Sequence, residues 1–593
     1  MYCNIHSVNT LTTLLVAHGI RHVVVCPGSR NAPLVHNFSQ HPDIICHPAT
    51  DERSAAFIAL GLRSAVGEPV AVCVTSGSAV LNVMPAVAEA TYRRQGIIVI
   101  SADRPQAWID QLDGQTLPQH DALGRFAPFA VSLPEPHNDD ERWLCNRLCN
   151  EALIMAKRSG GRSVHINVPL SEPLFDFSTE RLPDERVVND CHWDEETERN
   201  WCRSLIASSK RLLIVMGQMM KHEVSVDTVM RLQRHCVVLH EPLSADLRQP
   251  SLVEEMMCAM PDSDNDTTPD CLIFIGGHTV SKRLRQYIRR LPGTTRQIVV
   301  NTDGRLTDIS QHTAILVNAG TQTFLNDICH DICHDKDNAG DREAASAETE
   351  RFVGAWRKLR ERAARHRDGF KPGYSQMLAV KGFEDIVDAD RDTVFYANSM
   401  PVRLAAVYAQ HFCHCNRGLN GIEGSLSVAV GAALATRLTP DGGEGENGQM
   451  TYCVIGDLSF FYDRNALWQN SLPKNLRILL LNNSGGGIFR NLPHLADSPV
   501  ANSLIAGGHT TDAEGTCRQH GLDYLTATDE RSLAEGLRQL RRQDRQRPAL
   551  LEVFTDADTD SKVYKEYLKL QLTTRLLKKY VLERNAPVQG NHP

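Results

Sequence analysis

Short, unbroken apolar runs recur along the chain and alternate with stretches of helical periodicity. The runs are HVVVC (22–26), VAVCV (70–74), GIIVIS (96–101), SVHINV (163–168), RLLIVMG (211–217), CLIFIGG (271–277), QIVVN (297–301), TVFYAN (393–398), YCVIG (452–456), RILLLNN (477–483) and ALLEVF (549–554). A strand that is apolar at nearly every position is covered on both faces, and strands separated by helices pair in parallel. The pattern predicts an α/β protein built of doubly wound parallel sheets. Two polar stretches mark seams: 178–200, and 334–350, which leads into the arginine-rich helix pattern RFVGAWRKLRERAARHR. They divide the chain into three domains, about 1–178, 190–350 and 375–593. PDSDNDTTPD (261–270) reads as an exposed loop of the middle domain, and the final helical pattern KVYKEYLKLQLTTRLLKKYVLE as packing against a neighbouring element.

Length agrees with this division, because 593 residues exceed what one core can organise. A net charge of −8 argues against nucleic-acid binding, since no basic surplus exists to displace counterions. No apolar run approaches the ~18 residues of a membrane span, so no membrane insertion is expected. The start, MYCNIHSVNT, lacks the features of a secretory signal, which points to a cytoplasmic protein. The 17 cysteines include Cys26, Cys73, Cys271 and Cys453 in apolar strands, as buried reduced thiols would be. CHDICHD (329–335) and CHC (413–415) lack the paired C-x₂-C spacing of a closed zinc site.

Ligands of parallel sheets bind at the carboxyl ends of strands, where helix N-termini gather. Three such ends in the first domain carry chemistry, and one helix start beside them does too. PGSRN (27–31) offers a glycine turn, Ser29 and Arg30, either a carboxylate site or an ordinary turn. TSGSA (75–79) offers hydroxyls and helix amides for an anion or a cofactor edge, or simply tight packing. SADRP (101–105) puts Arg104 at a strand end with proline delaying the next helix. In HPATDERSAAFIALGL (47–62), Asp51 and Glu52 precede an apolar run. Helix capping explains them, and so does a catalytic acid held against apolar surface.

The third domain is the most informative. Gly456–Asp457 ends one strand, and Asn483 ends the next, 26 positions later. A strand–helix–strand unit of that length makes the strands neighbours. A carboxylate, an amide oxygen and a carbonyl of the following glycine loop form an all-oxygen set suited to Mg²⁺ holding a diphosphate. GEGENG (443–448) matches a dinucleotide fingerprint literally but precedes a strand instead of following one, and reads as a loop.

The Gly456–Asp457…Asn483 pattern resembles the diphosphate-and-metal motif of thiamine-diphosphate enzymes. The segments PGSRNAPL, TDERSAAFIALGL, TSGSAVLNVMPAVAEA, SADRP, VHINVPLSEPL, SKRL, NRGLNGIEGSLS, GDLSFFYDRNAL and NNSGGGIFRNLP are similar to those of the 2-succinyl-5-enolpyruvyl-6-hydroxy-3-cyclohexene-1-carboxylate synthase family of menaquinone biosynthesis. The resemblance covers all three domains in order, with the middle one matching mainly through SKRL. It implies a pyrimidine-binding domain, a central domain and a diphosphate- and metal-binding domain. It implies decarboxylation of 2-oxoglutarate and transfer of the succinyl unit to isochorismate, with thiamine diphosphate and Mg²⁺ or Mn²⁺ as cofactors.

Residue by residue, the same resemblance makes Glu52 the carboxyl group at N1′ of the aminopyrimidine, its apolar setting keeping a proton available. Asp457, Asn483 and Gly485 match metal ligands. Thr75, Ile422, Gly456, Leu458 and Ser459 match cofactor contacts, Ile422 as the wedge that holds the cofactor bent. Arg30, Arg104, Lys282, Arg283, Arg403 and Arg417 match cations for the substrates' carboxylates, and Ser29, Gln115 and Ser399 match polar contacts. Ile488, Phe489 and Leu492 match an apolar wall. Two positions depart from the family pattern: Asn31 stands where serine is usual, and Gly114 where a larger polar residue is common. The resemblance further implies a homodimer or homotetramer with active sites at the subunit interface. Another thiamine-diphosphate decarboxylase or carboligase is the nearest alternative, although small uncharged acyl groups need fewer cations. A non-catalytic relative would be expected to lack Glu52, Asp457 or Asn483, and all three are present.

Overall fold

The computed structural model describes residues 1–66, 68–92, 95–158, 162–261, 265–337, 343–435, 449–468, 472–492, 495 and 498–570. The GEGENG stretch and the end of the last helical pattern lie outside the described residues.

Among the described residues, eighteen strands form three six-stranded parallel sheets. The first holds β1 (His22–Val25), β2 (Ile45–Pro48), β3 (Ala71–Val74), β4 (Ile98–Asp103), β5 (Phe129–Ser132) and β6 (Val164–Pro169), in the order β2-β1-β3-β4-β6-β5. The second holds β7 (Asn189–His192), β8 (Leu212–Met216), β9 (Val237–His240), β10 (Cys271–Ile275), β11 (Arg296–Asn301) and β12 (Ile315–Asn318), in the order β7-β12-β11-β10-β8-β9. The third holds β13 (Thr393–Tyr396), β14 (Cys413–His414), β15 (Thr451–Gly456), β16 (Leu476–Asn482), β17 (Asp523–Ala527) and β18 (Ala549–Phe554). Its order, β14-β13-β15-β16-β18-β17, repeats that of the first sheet. By packing, the chain forms two compact units: Met1–His192 with Asp303–Asn318, and Trp193–Thr302 with the chain from Ala319 on.

The unbroken apolar strands are explained by cores on both faces. Successive residues of β1 alternate, Val23 and Val25 facing one cluster and Val24 with Cys26 the other. Along β15, Tyr452 and Val454 enter one core and Cys453 and Ile455 the opposite one. Period-two alternation is present, but both faces are dry, so the polar half of the usual pattern disappears. The cysteines are free thiols, and Cys26, Cys73, Cys271 and Cys453 are buried. Cys329 and Cys333 bring their sulfurs within 3.7 Å on the helix Thr321–Asp337. The polar seam at 334–350 is largely helical, since this helix and the next, Glu343–Gly369, occupy most of it. Among the described residues, no helix is long and apolar enough to cross a membrane.

Candidate active site

In the first sheet the order reverses between β1 and β3, which opens a crevice beyond their carboxyl ends. The two loops there touch. A Cβ on Gly28 would lie 2.5 Å from Thr75 Cβ and 2.4 Å from Asn31 Oδ1, so only glycine fits. Asn31 is fully buried and donates from Nδ2 to the Cys26 carbonyl at 2.8 Å, closing its own turn. Arg30 is buried beside it. One guanidinium nitrogen donates to the Leu170 carbonyl at 2.9 Å, and another lies 3.2 Å from Glu172. Burial and the nearby Arg104 pull its pKa down. Arg104, at the end of β4, pairs with Asp113 at 3.1 Å and donates to the Gly114 carbonyl at 3.1 Å. Gly114 has open space where a side chain would stand, so the small residue is not demanded by packing. Ser29 and Gln115 are exposed on the same loops, with Gln115 in the left-handed region at φ 57°.

Glu52 opens the helix Glu52–Val66. The capping role falls to Asp51, whose Oδ1 accepts the Ser54 amide at 2.8 Å. The Glu52 carboxylate is left half-buried and accepts Asn82 Nδ2 at 3.2 Å. Phe57 and Ile58 on the same helix, and Leu81 on the next, are more than two-fifths exposed.

Beneath these loops runs a polar network that the sequence reading missed. Gln119 accepts the Gly77 amide at 2.6 Å and donates to Asn167 Oδ1 at 2.8 Å and to the Ala102 carbonyl at 3.1 Å. Asn167 donates to Asp103 Oδ2 at 2.9 Å, and the other oxygen of Asp103 accepts the Arg104 amide at 2.8 Å. Ser101 meets His165 Nε2 at 2.7 Å, and burial pushes that imidazole down to about 4. Burial also raises the Asp103 pKa, against the hydrogen bond from Asn167. The signal was in SVHINV. His165 and Asn167 are polar at period two in a strand that is otherwise apolar, and buried polar groups come with partners.

In the third sheet the reversal lies between β13 and β15. Asp457 follows β15 at the start of the helix Asp457–Asp463 and is buried. Its Oδ1 accepts the Leu458 amide at 2.7 Å, and its Oδ2 accepts the Asn483 and Gly485 amides at 3.1 and 2.9 Å. His509 Nε2 stands 3.4 Å from Oδ2. Burial raises the Asp457 pKa, while the amides and His509 oppose it. Asn483 spends its Nδ2 on Asp560 at 2.9 Å, leaving its amide oxygen as the uncommitted end. The Ser459 hydroxyl donates to the Ile422 carbonyl, tying the loop after β14 to the start of this helix. Ile488 and Phe489 lie on the 3₁₀ turn Gly487–Asn491, and Leu492 follows it.

Cations gather near the same mouth. Arg417 is buried, donating to Asn398 Oδ1 at 3.2 Å and to the Thr279 carbonyl at 3.1 Å, while its Nε has no acceptor. Asn398 in turn donates to the Asn416 and Gly421 carbonyls, both at 2.7 Å. Ser399 follows at φ 75° and opens the helix Met400–Tyr408, which carries Arg403. Lys282 is exposed at the start of the helix Lys282–Arg289. Arg283 is paired with Glu254. Sequence reasoning also missed Asn398, His509 and Asp560.

A family model, the thiamine pyrophosphate enzyme N-terminal TPP binding domain, matches residues 6–123. The synthase of Bacteroides fragilis named 2-succinyl-5-enolpyruvyl-6-hydroxy-3-cyclohexene-1-carboxylate synthase is 37% identical over 580 residues, covering 96% of this chain and 99% of its own. The enzyme of that name from Bacteroides thetaiotaomicron is 38% identical over 579 residues, with the same coverage. This chain belongs to the 2-succinyl-5-enolpyruvyl-6-hydroxy-3-cyclohexene-1-carboxylate synthase family. A more distant member, from Flavobacterium johnsoniae, is 31% identical over 587 residues and also spans 96% of the chain. It is thus a thiamine-diphosphate-dependent enzyme with three α/β sheets.

For this synthase-family member, Gln119→Leu removes the acceptor of the Gly77 amide and the donor to Asn167 together. The buried partners left unpaired should cost about 1–3 kcal/mol, read as a lowered thermal midpoint. An unchanged midpoint would show that the network does not brace the loops.

Proposed function

We propose that the protein catalyses the reaction of its named relatives: decarboxylation of 2-oxoglutarate and addition of the remaining succinyl unit to isochorismate. The observation that supports this most is the continuity of the cation cluster with the Asp457 cradle. Arg417 bonds to Asn398, Asn398 to the Gly421 carbonyl, and the adjoining Ile422 carbonyl to Ser459, two residues beyond Asp457. Arginines that lack carboxylate partners beside a diphosphate-type cradle suit polyanionic substrates better than small uncharged acyl groups.

Bound thiamine diphosphate supplies the electron sink for decarboxylation. The chain's residues bind, orient and move protons. Glu52 holds a proton at N1′ of the cofactor's pyrimidine ring, and Asn82 fixes the carboxyl group's orientation. Thr75 and the amides after Gly456, with Leu458 and Ser459, border the cofactor, and Ile422 supports it. An ionised carboxylate has about four acceptor positions. Amides take three of those on Asp457, and one remains for a cation. With the oxygens of Asn483 and Gly485 this hard donor set fits Mg²⁺ or Mn²⁺. Arg30, Arg104, Lys282, Arg283, Arg403 and Arg417, with Ser29, Gln115 and Ser399, hold substrate carboxylates and hydroxyls. Ile488, Phe489 and Leu492 exclude water from one side.

The reading includes three domains, about 1–178, 190–350 and 375–593, in a cytoplasmic homodimer or homotetramer. The apolar Phe57, Ile58 and Leu81 flank a half-exposed Glu52, and a second copy that covers them would give the carboxyl group its apolar wall.

Purified protein with thiamine diphosphate and Mg²⁺ should release CO₂ from 2-oxoglutarate in step with loss of isochorismate, and Glu52→Gln should abolish both. Equal CO₂ release without isochorismate would make it a decarboxylase or a carboligase with another acceptor. Turnover of pyruvate instead would overturn the assignment of the arginines. Asp560→Ala frees the Asn483 amide to rotate, so the Mg²⁺ needed for half-maximal activity should rise about tenfold or more, with the rate recovering at high Mg²⁺. Sedimentation equilibrium should find dimers or tetramers; a monomer at assay concentration would remove the shared-site reading.

A further inference from the structure

The loop that returns past Gly507 brings His509 to the end of β15, and the end of β16 decides how its ring stands. The His509 amide donates to the Ser484 carbonyl at 3.1 Å. Asn482, the last residue of β16, donates from Nδ2 to the Thr511 carbonyl at 3.0 Å. The Thr511 amide in turn donates to His509 Nδ1 at 3.1 Å. Phe461 meets the ring edge-on, with centroids 5.4 Å apart.

A ring nitrogen that accepts an amide N–H carries no hydrogen of its own, so the imidazole hydrogen is on Nε2. Nε2 is buried, makes no hydrogen bond among the described residues, and stands 3.4 Å from Asp457 Oδ2. The Thr511 amide thus selects the tautomer that turns a donor, and not a lone pair, toward the carboxylate.

The two oxygens of that carboxylate are held unequally. Oδ2 accepts the Asn483 and Gly485 amides and faces His509 as well. Oδ1 accepts the Leu458 amide. A carboxylate oxygen has about two acceptor positions, so amides fill those of Oδ2 while one on Oδ1 stays open. The Nε2–H dipole adds to the positive side of Oδ2 without displacing either amide. Rotation about the Cβ–Cγ bond, which would exchange the two oxygens, works against all three donors at once.

We propose that His509 is a positioning residue for Asp457: its Nε2–H keeps Oδ2 on the protein side, so that Oδ1 is the oxygen offered to the divalent cation of the cofactor site. This rests on the function proposed above. The ring has two separable jobs, an acceptor at Nδ1 that fixes the tautomer and a donor at Nε2 that faces the carboxylate.

Two substitutions separate those jobs. In His509→Gln the side-chain NH₂ reaches the Nε2 position, keeping the donor and losing the acceptor. In His509→Asn the side-chain oxygen takes the Nδ1 position, keeping the acceptor and losing the donor. The full chain with saturating thiamine diphosphate is titrated with Mn²⁺, free Mn²⁺ being read by electron paramagnetic resonance, and thermal midpoints are recorded alongside. His509→Asn should weaken Mn²⁺ binding about tenfold at a midpoint close to the wild type's, and His509→Gln should stay within about threefold. Wild-type Mn²⁺ affinity in His509→Asn, or equal weakening in both variants, would show that the ring only fills space. Unchanged Mn²⁺ affinity with weakened thiamine diphosphate binding would give the donor to the diphosphate and overturn the role at Asp457. Should His509→Asn not fold, His509→Gln decides: a folded Gln variant with weak Mn²⁺ binding sinks the proposal. In each of these cases the proposed function stands. A wild type that binds no Mn²⁺ with thiamine diphosphate would remove the cofactor site itself, and this role with it.

Discussion

A buried carboxylate stays ionised only if donors surround it, and Asp457 finds them in three backbone amides drawn from two strand ends. That requirement dictates the path of the next loop. To present the Asn483 and Gly485 amides to one oxygen, the chain passes through φ 64° at Ser484 and φ 153° at Gly485. There a Cβ would sit 3.1 Å from the Ala506 carbonyl, and the same carbonyl accepts the Gly486 amide at 2.7 Å. The loop then enters the 3₁₀ turn that holds Ile488 and Phe489. The apolar wall, the amide orientation of Asn483 and the approach of His509 all follow from one carboxylate and its neighbours.

The first and third sheets share a strand order, and their candidate residues occupy corresponding ends. After β1 come Ser29 and Arg30; after β13 comes Ser399. After β3 comes Thr75; after β15 comes Asp457. Parallel sheets place helix N-termini and loose loop amides at the same edge wherever the order reverses, so one topology offers an anion-ready crevice twice. What differs is the loop chemistry. The first crevice is braced by Gln119, Asn167 and Ser101 together with the carboxylate of Asp103, the third by the carboxylates of Asp457 and Asp560. A site that must carry a cation and a diphosphate needs fixed negative charge.

The central strands were legible in the sequence because both of their faces are buried, which leaves little room for polar residues. The strands it did not show are nearly all at sheet edges: β2 and β5, β7 and β9, β14 and β17. An edge strand is short and packs less, so ICHP, NDCH and DYLTA carry no apolar run to detect. Asp457 and Asn483 were legible through spacing, since a strand–helix–strand unit fixes which ends are neighbours. The partners of those residues were not. Asp560 reaches Asn483 from 77 positions away, and Gln119 reaches Asn167 from 48, distances at which nothing in local pattern couples two residues. Arg283 lies in SKRL and Arg285 just beyond it; two positions apart on one helix, their guanidiniums reach different partners, Glu254 and the Thr279 carbonyl.

That separation carries the logic of the charge distribution. Arg283 pairs with Glu254, which also accepts the Ser281 hydroxyl, so the three fix the start of the helix. Arg285 and Arg417 are anchored by uncharged oxygens, the Thr279 carbonyl for both, with the Thr279 hydroxyl for Arg285 and Asn398 Oδ1 for Arg417, and are oriented without being neutralised. Glu241 makes this possible at a distance. By accepting the Val280 and Ser281 amides it shapes the loop that presents the Thr279 carbonyl, and it tempers the surplus of positive charge without capping any guanidinium. Repulsion among Arg285, Arg403 and Arg417 is then offset in part by Glu241 and Glu254.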